Sequence, residues 1–290
     1  MREPLTEPIR ILDLDGCPLA YRLRGEGEPV VFLQGVGVQG DGWRPQTDEL
    51  QARFRCLTID NRGIGRSVPA GGEITVERMA EDTLALLDHL GWESAHVVGH
   101  SLGGQIALEL ALTARARVRS LSLLCTFARG RDAVALDVGR IWTGLRTFVG
   151  TRGMRRRAFL NLVMPRTELR HLDRNDLAEE LGELFGHDLA DHPPVEMKQL
   201  GALRRYDASS RLAELEGIPT LVVSGHEDRI ASPASGLALS AGIPGSLYIE
   251  IPQAGHGLPI QKSREINSLL DRHLAATPTT SRHSPVAAES

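Results

Sequence analysis

Short apolar runs alternate with longer amphipathic stretches along most of this chain. The runs are rich in β-branched residues, which is typical of strands that are buried on both faces of a sheet. We predict strands at Val30–Leu33, Arg55–Asp60, His96–Gly99, Val118–Thr126, Pro219–Ser224 and Ser246–Ile251. Helical spacing of apolar residues predicts helices at Thr75–Leu90, Leu102–Ala114, Pro233–Ala241 and Pro259–Ala275.

A hairpin is predicted ahead of this alternation. Ile9–Leu14 and Leu19–Leu23 alternate roughly between apolar and polar residues on either side of Asp15-Gly16, a dipeptide that favours a tight turn. Buried strands that alternate with helices predict an α/β fold. We therefore expect a mostly parallel eight-stranded sheet with helices on both faces.

The alternation stops between residues 128 and 211. No strand pattern is recognisable there, and apolar residues such as Leu145 and Phe159 fall at helical intervals. A stretch of roughly 80 residues is far longer than a normal connection between two core strands. We therefore predict a helical cap at 128–211 inserted into a core of residues 1–127 and 212–276. Residues 277–290, which are rich in Thr, Ser, Pro and Ala, are expected to form a disordered tail.

Composition and charge argue against several classes of function. The chain has 290 residues, of which 41% are hydrophobic and 24% are charged, as in an ordinary globular protein. A net charge of −4 gives no reason to expect a nucleic acid or an anionic membrane as partner. The absence of an apolar leader and of a long apolar run predicts a cytoplasmic location. The scattered cysteines (Cys17, Cys56 and Cys125) predict buried thiols rather than disulfides.

The segment from Val97 to Gly104 carries the main candidate chemistry. It contains the pattern G-x-S-x-G around Ser101, between a predicted strand and a predicted helix. A tight strand-to-helix turn strains the backbone of the serine and exposes its hydroxyl group. Gly99 and Gly103 would prevent a collision across the turn. We therefore predict an exposed nucleophile at the carboxyl end of a strand, where ligands bind in such sheets.

Two further motifs follow the predicted cap. Gly225-His226-Glu227-Asp228 comes after one predicted strand, and Gly255-His256-Gly257 comes after the next. The order of serine turn, helical insertion and two loop motifs resembles the α/β-hydrolase superfamily over residues 9–275. In that family the triad runs serine, acid, histidine. The resemblance implies Ser101, Asp228 and His256, with Glu227 as the weaker choice of acid.

The resemblance also implies a role for each group. His256 would activate the poorly nucleophilic serine as a base, and Asp228 would orient the imidazole and stabilise its charged form. The backbone N–H of Leu102 and, by family analogy, that of Val36 would form the oxyanion hole. Many relatives have His-Gly where this chain has Gln34-Gly35. Gln34 cannot titrate, but it can hydrogen-bond locally, so we expect the hole to survive.

Four side chains are candidates for the substrate pocket: Gln34, Trp43, Phe127 and Trp142. Packing in the core is the alternative for the aromatic residues, and packing is also expected for His100 and Cys125. His187-Asp188 and Asp191-His192 could mimic a metal cluster, but we interpret them as solvated cap surface. The arginines at 152, 155, 156 and 157 favour a solvated helix face, the alternative being contact with an anionic substrate group. No metal or cofactor is expected.

The sequence therefore predicts an esterase-like serine hydrolase that acts on a small molecule. It would cleave a carboxylic ester, a lactone or a related acyl compound through an acyl-enzyme on Ser101, and assembly into a homo-oligomer is compatible with the sequence. Two alternatives remain within the fold: hydrolysis of a C–C bond, and perhydrolysis of the haloperoxidase type. A receptor that binds a small molecule without turnover is the alternative from another class. Serine at position 101 disfavours the aspartate-nucleophile dehalogenases and epoxide hydrolases.

Overall fold

The structure of the chain is a computed structural model, which describes residues 7–132 and 146–277. Its strands are β1 (Arg10–Leu14), β2 (Cys17–Arg24), β3 (Glu28–Leu33), β4 (Phe54–Ile59), β5 (Ala95–His100), β6 (Val118–Leu124), β7 (Thr220–Gly225) and β8 (Leu247–Ile251). They form one eight-stranded sheet in the order β1-β2-β4-β3-β5-β6-β7-β8. The pairs β1–β2 and β2–β4 are antiparallel, and the others are parallel. The predicted α/β fold is confirmed.

Most of the α-helices lie between these strands, and the last two follow β8. They are α1 (Arg44–Leu50), α2 (Val76–His89), α3 (Leu102–Thr113), α4 (Arg152–Val163), α5 (Arg174–Phe185), α6 (Glu196–Arg205), α7 (Pro233–Gly242), α8 (Leu258–Gln261) and α9 (Ser263–Ala275). Helix α2 begins where the Thr75 hydroxyl accepts a hydrogen bond from the Arg78 N–H at 3.0 Å, as an N-cap should. The single helix predicted at Pro259–Ala275 is instead two helices, because Lys262 has a non-helical backbone (φ −119°, ψ 40°).

The N-terminal hairpin follows its sequence signal closely. Asp15 and Gly16 both have positive φ values, 51° and 75°, as the two central residues of a tight hairpin turn require. Leu14 and Cys17 then face each other as the first strand pair. This confirms the predicted hairpin and places β1 at the edge of the sheet.

The segment between β6 and β7 differs from the rest of the chain. Its described residues, 128–132 and 146–211, contain α4, α5 and α6 and no strand. We call this segment the helical insertion. It has a small apolar core of its own, made of Leu160, Val163, Met164, Leu169, Ala178, Leu181, Leu184 and Leu189. Its two ends meet in an isolated bridge between Arg129 and Asp207.

The loop after β4 joins several elements near the site. The Asp60 carboxylate accepts hydrogen bonds from the N–H groups of Gly40 at 2.8 Å and Arg66 at 3.1 Å. Arg62 is fully buried, and its Nε donates to Asp82 Oδ2 of α2 at 2.8 Å. These bonds brace neighbouring segments, so this loop has a structural role.

Two further properties of the described residues concern the cysteine thiols and the length and apolar character of the helices. The three cysteines are buried and unpaired, as predicted. Burial raises the pKa of the Cys56 thiol to about 12 and that of Cys125 well above its usual range, so both stay protonated. Within residues 7–132 and 146–277, no helix has the length and apolar character needed to cross a bilayer.

Candidate active site

Ser101 occupies the turn between β5 and α3 in a strained conformation. Its φ of 54° and ψ of −117° lie outside the regions that non-glycine residues ordinarily adopt. Two hydrogen bonds hold it there: its N–H donates to Leu124 O at 3.1 Å, and Thr126 Oγ1 donates to its carbonyl oxygen at 2.7 Å. The surrounding strands therefore impose the strain that lifts the hydroxyl out of the turn.

Glycines on both sides of Ser101 allow α3 to approach the sheet. A Cβ atom on Gly99 would lie 2.3 Å from the carbonyl oxygen of Gly103. A Cβ on Gly103 would lie 2.0 Å from the carbonyl oxygen of Leu33. Neither position can hold a side chain without moving the helix, which agrees with the predicted role of the two glycines.

Asp228 and His256 form a hydrogen-bonded pair in loops that follow β7 and β8. Asp228 Oδ2 lies 2.8 Å from His256 Nδ1, and the carboxylate is fully buried. Its other oxygen accepts hydrogen bonds from the N–H groups of Ile230 at 2.7 Å and Ala231 at 2.9 Å. A carboxylate held in this way keeps a proton on Nδ1 and leaves Nε2 of the imidazole as the base. Asp228, rather than Glu227, faces the histidine.

Ser101 and His256 lie on the wall of one cavity of about 880 Å³. Ligand pockets typically have volumes of about 300–1,000 Å³. In the part of the chain that the structure describes, the Ser101 hydroxyl has no hydrogen-bond partner. Hydrogen bonds between catalytic groups often shorten only when substrate is bound. The arrangement thus leaves the hydroxyl accessible from the cavity.

The loop after β3 lies directly against Ser101. A Cβ atom on Gly35 would be 3.3 Å from the Cβ of Ser101. The N–H of Val36 has no acceptor among residues 7–132 and 146–277, and the N–H of Leu102 precedes the first internal hydrogen bond of α3. The loop and the helix terminus therefore bring two free backbone donors to the neighbourhood of the serine.

The Gln34 side chain forms a hydrogen bond within this loop, as expected for its amide group. Its side-chain oxygen accepts a hydrogen bond from the Gly35 N–H at 3.1 Å, and its carbonyl oxygen accepts one from Asn61 Nδ2 at 3.0 Å. Gln34 also lines the cavity. The expected local hydrogen bond is confirmed.

The three aromatic pocket candidates have different positions. Trp43 is fully buried, with its ring centroid 5.4 Å from that of Phe32, and Phe127 is fully buried in the main core. Neither is among the described residues that line the cavity. This corrects the expectation for these two residues, which pack in the core instead of lining the cavity. Trp142 lies outside the described residues.

The helical insertion supplies most of the apolar wall of the cavity. This wall includes Phe148, Phe159, Leu162, Leu172, Leu177, Leu181, Phe185, Met197 and Leu200. Arg131, Arg204 and Arg229 also line the cavity. The arginines at 152, 155, 156 and 157 do not line it; Arg152 and Arg156 pair with Asp188. The helical spacing of the insertion did not indicate which of its residues face the cavity.

His100 contacts the site more closely than a packing residue would. Its Nε2 lies 2.9 Å from the carbonyl oxygen of His256, and the two ring centroids are 4.8 Å apart. Burial and the neighbouring His256 lower the pKa of His100 to about 3, so its ring is neutral and Nε2–H donates the hydrogen bond. The position of His100 next to the serine was the only sequence signal for this contact.

A metal site can be considered at two places. The donor atoms of His100, Cys125 and His256 lie within 4.8 Å of one another. His256 Nδ1 is already bonded to Asp228, and burial keeps the thiol of Cys125 protonated. In the helical insertion, His187 and His192 are both engaged in hydrogen bonds to backbone carbonyl oxygens. These groups are therefore arranged for hydrogen bonding.

Comparisons with known proteins identify the family of this fold. Residues 28–263 match the model of a family described as the alpha/beta hydrolase fold. A protein of Azorhizobium caulinodans named "Putative carbamate hydrolase RutD" is 30% identical over 87% of this chain and 93% of its own length. A hydrolase from Pseudomonas aeruginosa has a TM-score of 0.78 and 27% identity, over 94% of this chain and 100% of its own.

A thermophilic esterase from Thermogutta terrifontis, in a structure with bound malate, has a TM-score of 0.75 and 28% identity. The alignment covers 93% of this chain and 98% of the esterase. The family match spans most of the chain. This chain belongs to the α/β-hydrolase fold family and is an enzyme of the hydrolase kind.

Proposed function

We propose that this enzyme cleaves a carboxylic ester, a lactone or a related acyl compound through an acyl-enzyme on Ser101. The observation that carries the proposal is the common cavity. Ser101 at its strained turn and His256, paired with the buried Asp228, both lie on its wall. A weak nucleophile and an oriented base on one surface are the requirements for nucleophilic attack on a carbonyl carbon.

The first half of the reaction forms the acyl-enzyme. His256 Nε2 takes the proton of the Ser101 hydroxyl as Oγ attacks the carbonyl carbon. The N–H groups of Val36 and Leu102 stabilise the resulting oxyanion, and Asp228 stabilises the imidazolium. The tetrahedral intermediate then collapses, and the leaving alcohol takes the proton from His256.

The second half regenerates the enzyme. His256 Nε2 removes a proton from water as the water oxygen attacks the acyl carbon. The same two N–H groups stabilise the oxyanion of this second tetrahedral intermediate. Collapse releases the carboxylic acid and returns the proton to Ser101. No metal or cofactor takes part in this mechanism.

The cavity wall supports substrates with an apolar group. The described part of the helical insertion lines it with aromatic and aliphatic side chains, among them Phe159, Leu181 and Met197. Burial of apolar substrate surface against such a wall contributes about 25 cal/mol per Å². We therefore expect hydrolysis to be faster for an ester with an extended alkyl or aryl group than for an acetate ester.

Replacement of Ser101 tests the proposal. Ser101→Ala should lower hydrolysis of p-nitrophenyl butyrate by about 10⁴-fold or more, since the nucleophile is lost. It should also abolish labelling by a fluorophosphonate probe. Ser210→Ala, at an exposed serine near the end of the helical insertion, is the matched control and should behave like the wild type.

Two outcomes would overturn the proposal. Unchanged hydrolysis by purified Ser101→Ala would remove the serine from the chemistry. An unlabelled wild-type protein that binds esters tightly without turnover would indicate a receptor. A panel of esters, lactones and ring-cleavage diketones, with perhydrolysis of acetate by hydrogen peroxide, separates ester cleavage from the related chemistries of the fold.

A further inference from the structure

The helical insertion holds both backbone groups of Gly37, which directly follows Val36. Gln199 Oε1 accepts a hydrogen bond from the Gly37 N–H at 2.9 Å. His187 Nε2 lies 2.9 Å from the Gly37 carbonyl oxygen and donates a hydrogen bond to it in the tautomer that carries the proton on Nε2. These partners lie 162 and 150 residues away along the chain. The loop after β3 is thus fastened to the helical insertion.

Both partners are themselves fixed in place. Gln199 is fully buried on α6, and its side-chain NH₂ group has no acceptor among the described residues. The other ring nitrogen of His187 lies 2.9 Å from the carbonyl oxygen of Asp188. Arg156 Nε donates to the Asp188 carboxylate at 2.9 Å, so an ion pair holds the segment that carries His187.

A second set of contacts continues the same attachment. The Gln39 N–H donates to the carbonyl oxygen of Phe185 at 3.3 Å, at the end of α5. Gly37 has a φ of 78°, which favours glycine, and a Cβ there would lie 3.8 Å from the Glu196 side chain. The loop is therefore enclosed between the insertion and the serine turn.

We propose that Gln199 and His187 are positioning residues that set the direction of the Val36 N–H in the oxyanion hole. This inference rests on the proposed function, because it assumes that Val36 is a donor to the oxyanion. A donor that is displaced by about 1 Å can cost about 10²-fold in rate. The insertion then takes part in transition-state stabilisation as well as in forming the cavity wall.

Paired substitutions at Gln199 provide the first test. Gln199→Met keeps the length of the side chain but removes the acceptor for the Gly37 N–H. Gln199→Glu keeps an acceptor oxygen and gives up no hydrogen bond of the described residues, because the NH₂ group has none. Lys198→Met introduces the same residue at the exposed neighbouring position and is the matched control.

We expect Gln199→Met to lower kcat for p-nitrophenyl butyrate by about 10-fold or more, with KM changed by less than about threefold, because the oxyanion exists only in the transition state. Inhibition by an alkyl boronic acid, whose tetrahedral adduct mimics the oxyanion, should weaken by a similar factor. Gln199→Glu should retain kcat within about threefold of the wild type. Lys198→Met should leave kcat and boronic acid inhibition unchanged.

If thermal unfolding shows that Gln199→Met is not folded, substitutions at His187 provide a second pair of variants. His187→Gln keeps an N–H donor near the position of Nε2, whereas His187→Leu removes it. The leucine variant should lose kcat and boronic acid affinity together, and the glutamine variant should recover both. Equal kcat for the two folded variants of either pair would overturn the inference.

Failure of the inference can be told apart from failure of the proposed function. A wild-type enzyme that hydrolyses esters and labels at Ser101, but whose Gln199→Met variant keeps its kcat, contradicts the positioning role alone. A wild-type enzyme that neither labels nor hydrolyses contradicts the proposed function itself.

Discussion

The sheet and the helical insertion contribute to the same cavity by different means. Ser101, Asp228 and His256 come from three strand ends of the sheet, and each is at most 7% exposed. Main-chain hydrogen bonds hold the turns that carry them. The insertion instead supplies side chains, and some of these are well exposed, such as Met197 at 59%.

This difference separates two kinds of requirement. Nucleophilic attack needs a geometry that holds to within a few tenths of an ångström, and the parallel strands provide it through their regular register. Recognition of an apolar group needs shape and area, which side chains on helices provide. A function can therefore change in the insertion while the reacting groups stay where the sheet places them.

The largest expected effect tests the sheet side of this contrast. Asp228→Asn should lower kcat by about 10⁴-fold, because the amide favours the wrong imidazole tautomer while the fold is retained. Ester hydrolysis and thermal unfolding are to be measured together. Glu227→Gln is the matched control, since Glu227 is the neighbouring acid that does not face His256. A greater loss of kcat in Glu227→Gln than in Asp228→Asn would show that Glu227, and not Asp228, is the acid that acts on His256.

A smaller effect concerns the stability of the sheet at low pH. Burial lowers the pKa of His96 to about 4, and its Nδ1 lies 2.7 Å from Ser120 Oγ. The folded state thus holds this ring neutral while the unfolded chain protonates it below pH 6.5. The stabilising contribution is complete above pH 6.5 and decreases as the pH falls toward 4. Between pH 7.5 and pH 5.0 we expect a loss of about 2 kcal/mol from this group.

Denaturant unfolding at the two pH values measures this loss. His96→Asn should reduce the difference in unfolding free energy between pH 7.5 and pH 5.0 by about 2 kcal/mol. His89→Asn, at an exposed histidine of α2, is the control and should leave the difference as in the wild type. An unchanged difference in His96→Asn would show that this histidine does not stay neutral in the fold.

The smallest expected effect tests the insertion side. Met197→Glu should lower kcat/KM for p-nitrophenyl octanoate by about 10-fold, because it removes apolar area that the alkyl chain would contact. The value for the acetate ester should change by less than about threefold. Leu237→Glu introduces the same charge at an exposed leucine of α7 and should affect neither ester. Equal losses for both esters would place Met197 among residues that support the reacting groups.

The sequence predicted the sheet side of the molecule well. Buried parallel strands leave continuous apolar runs, and the serine turn requires glycine at positions 99 and 103 because no side chain fits there. Both signals are local, so they can be detected without knowing the tertiary structure. The hydrogen bond between Asp228 and His256 was expected from the order of the motifs, and the structure contains it.

The insertion and its contacts were less predictable for physical reasons. Helical spacing identifies an apolar face but not the surface that it covers, so the cavity-lining residues could not be chosen. Trp43 and Phe127 are aromatic, as many pocket residues are, yet both are fully buried in the core. The contacts of Gly37 with His187 and Gln199 join distant parts of the chain, and no local pattern marks them.

The bridge between Arg129 and Asp207 has a consequence for how this protein can change. It is flanked by hydrogen bonds from Gly130 N–H to Tyr206 O at 2.9 Å and from Ala208 N–H to Ala128 O at 3.0 Å. The chain leaves the sheet after β6 and returns to it at the neighbouring strand β7, and the two ends of the insertion pair at this bridge. We therefore expect that different helices can be grafted at these two points without a change in the order of the strands. Such a graft would have to supply new partners for Gly37.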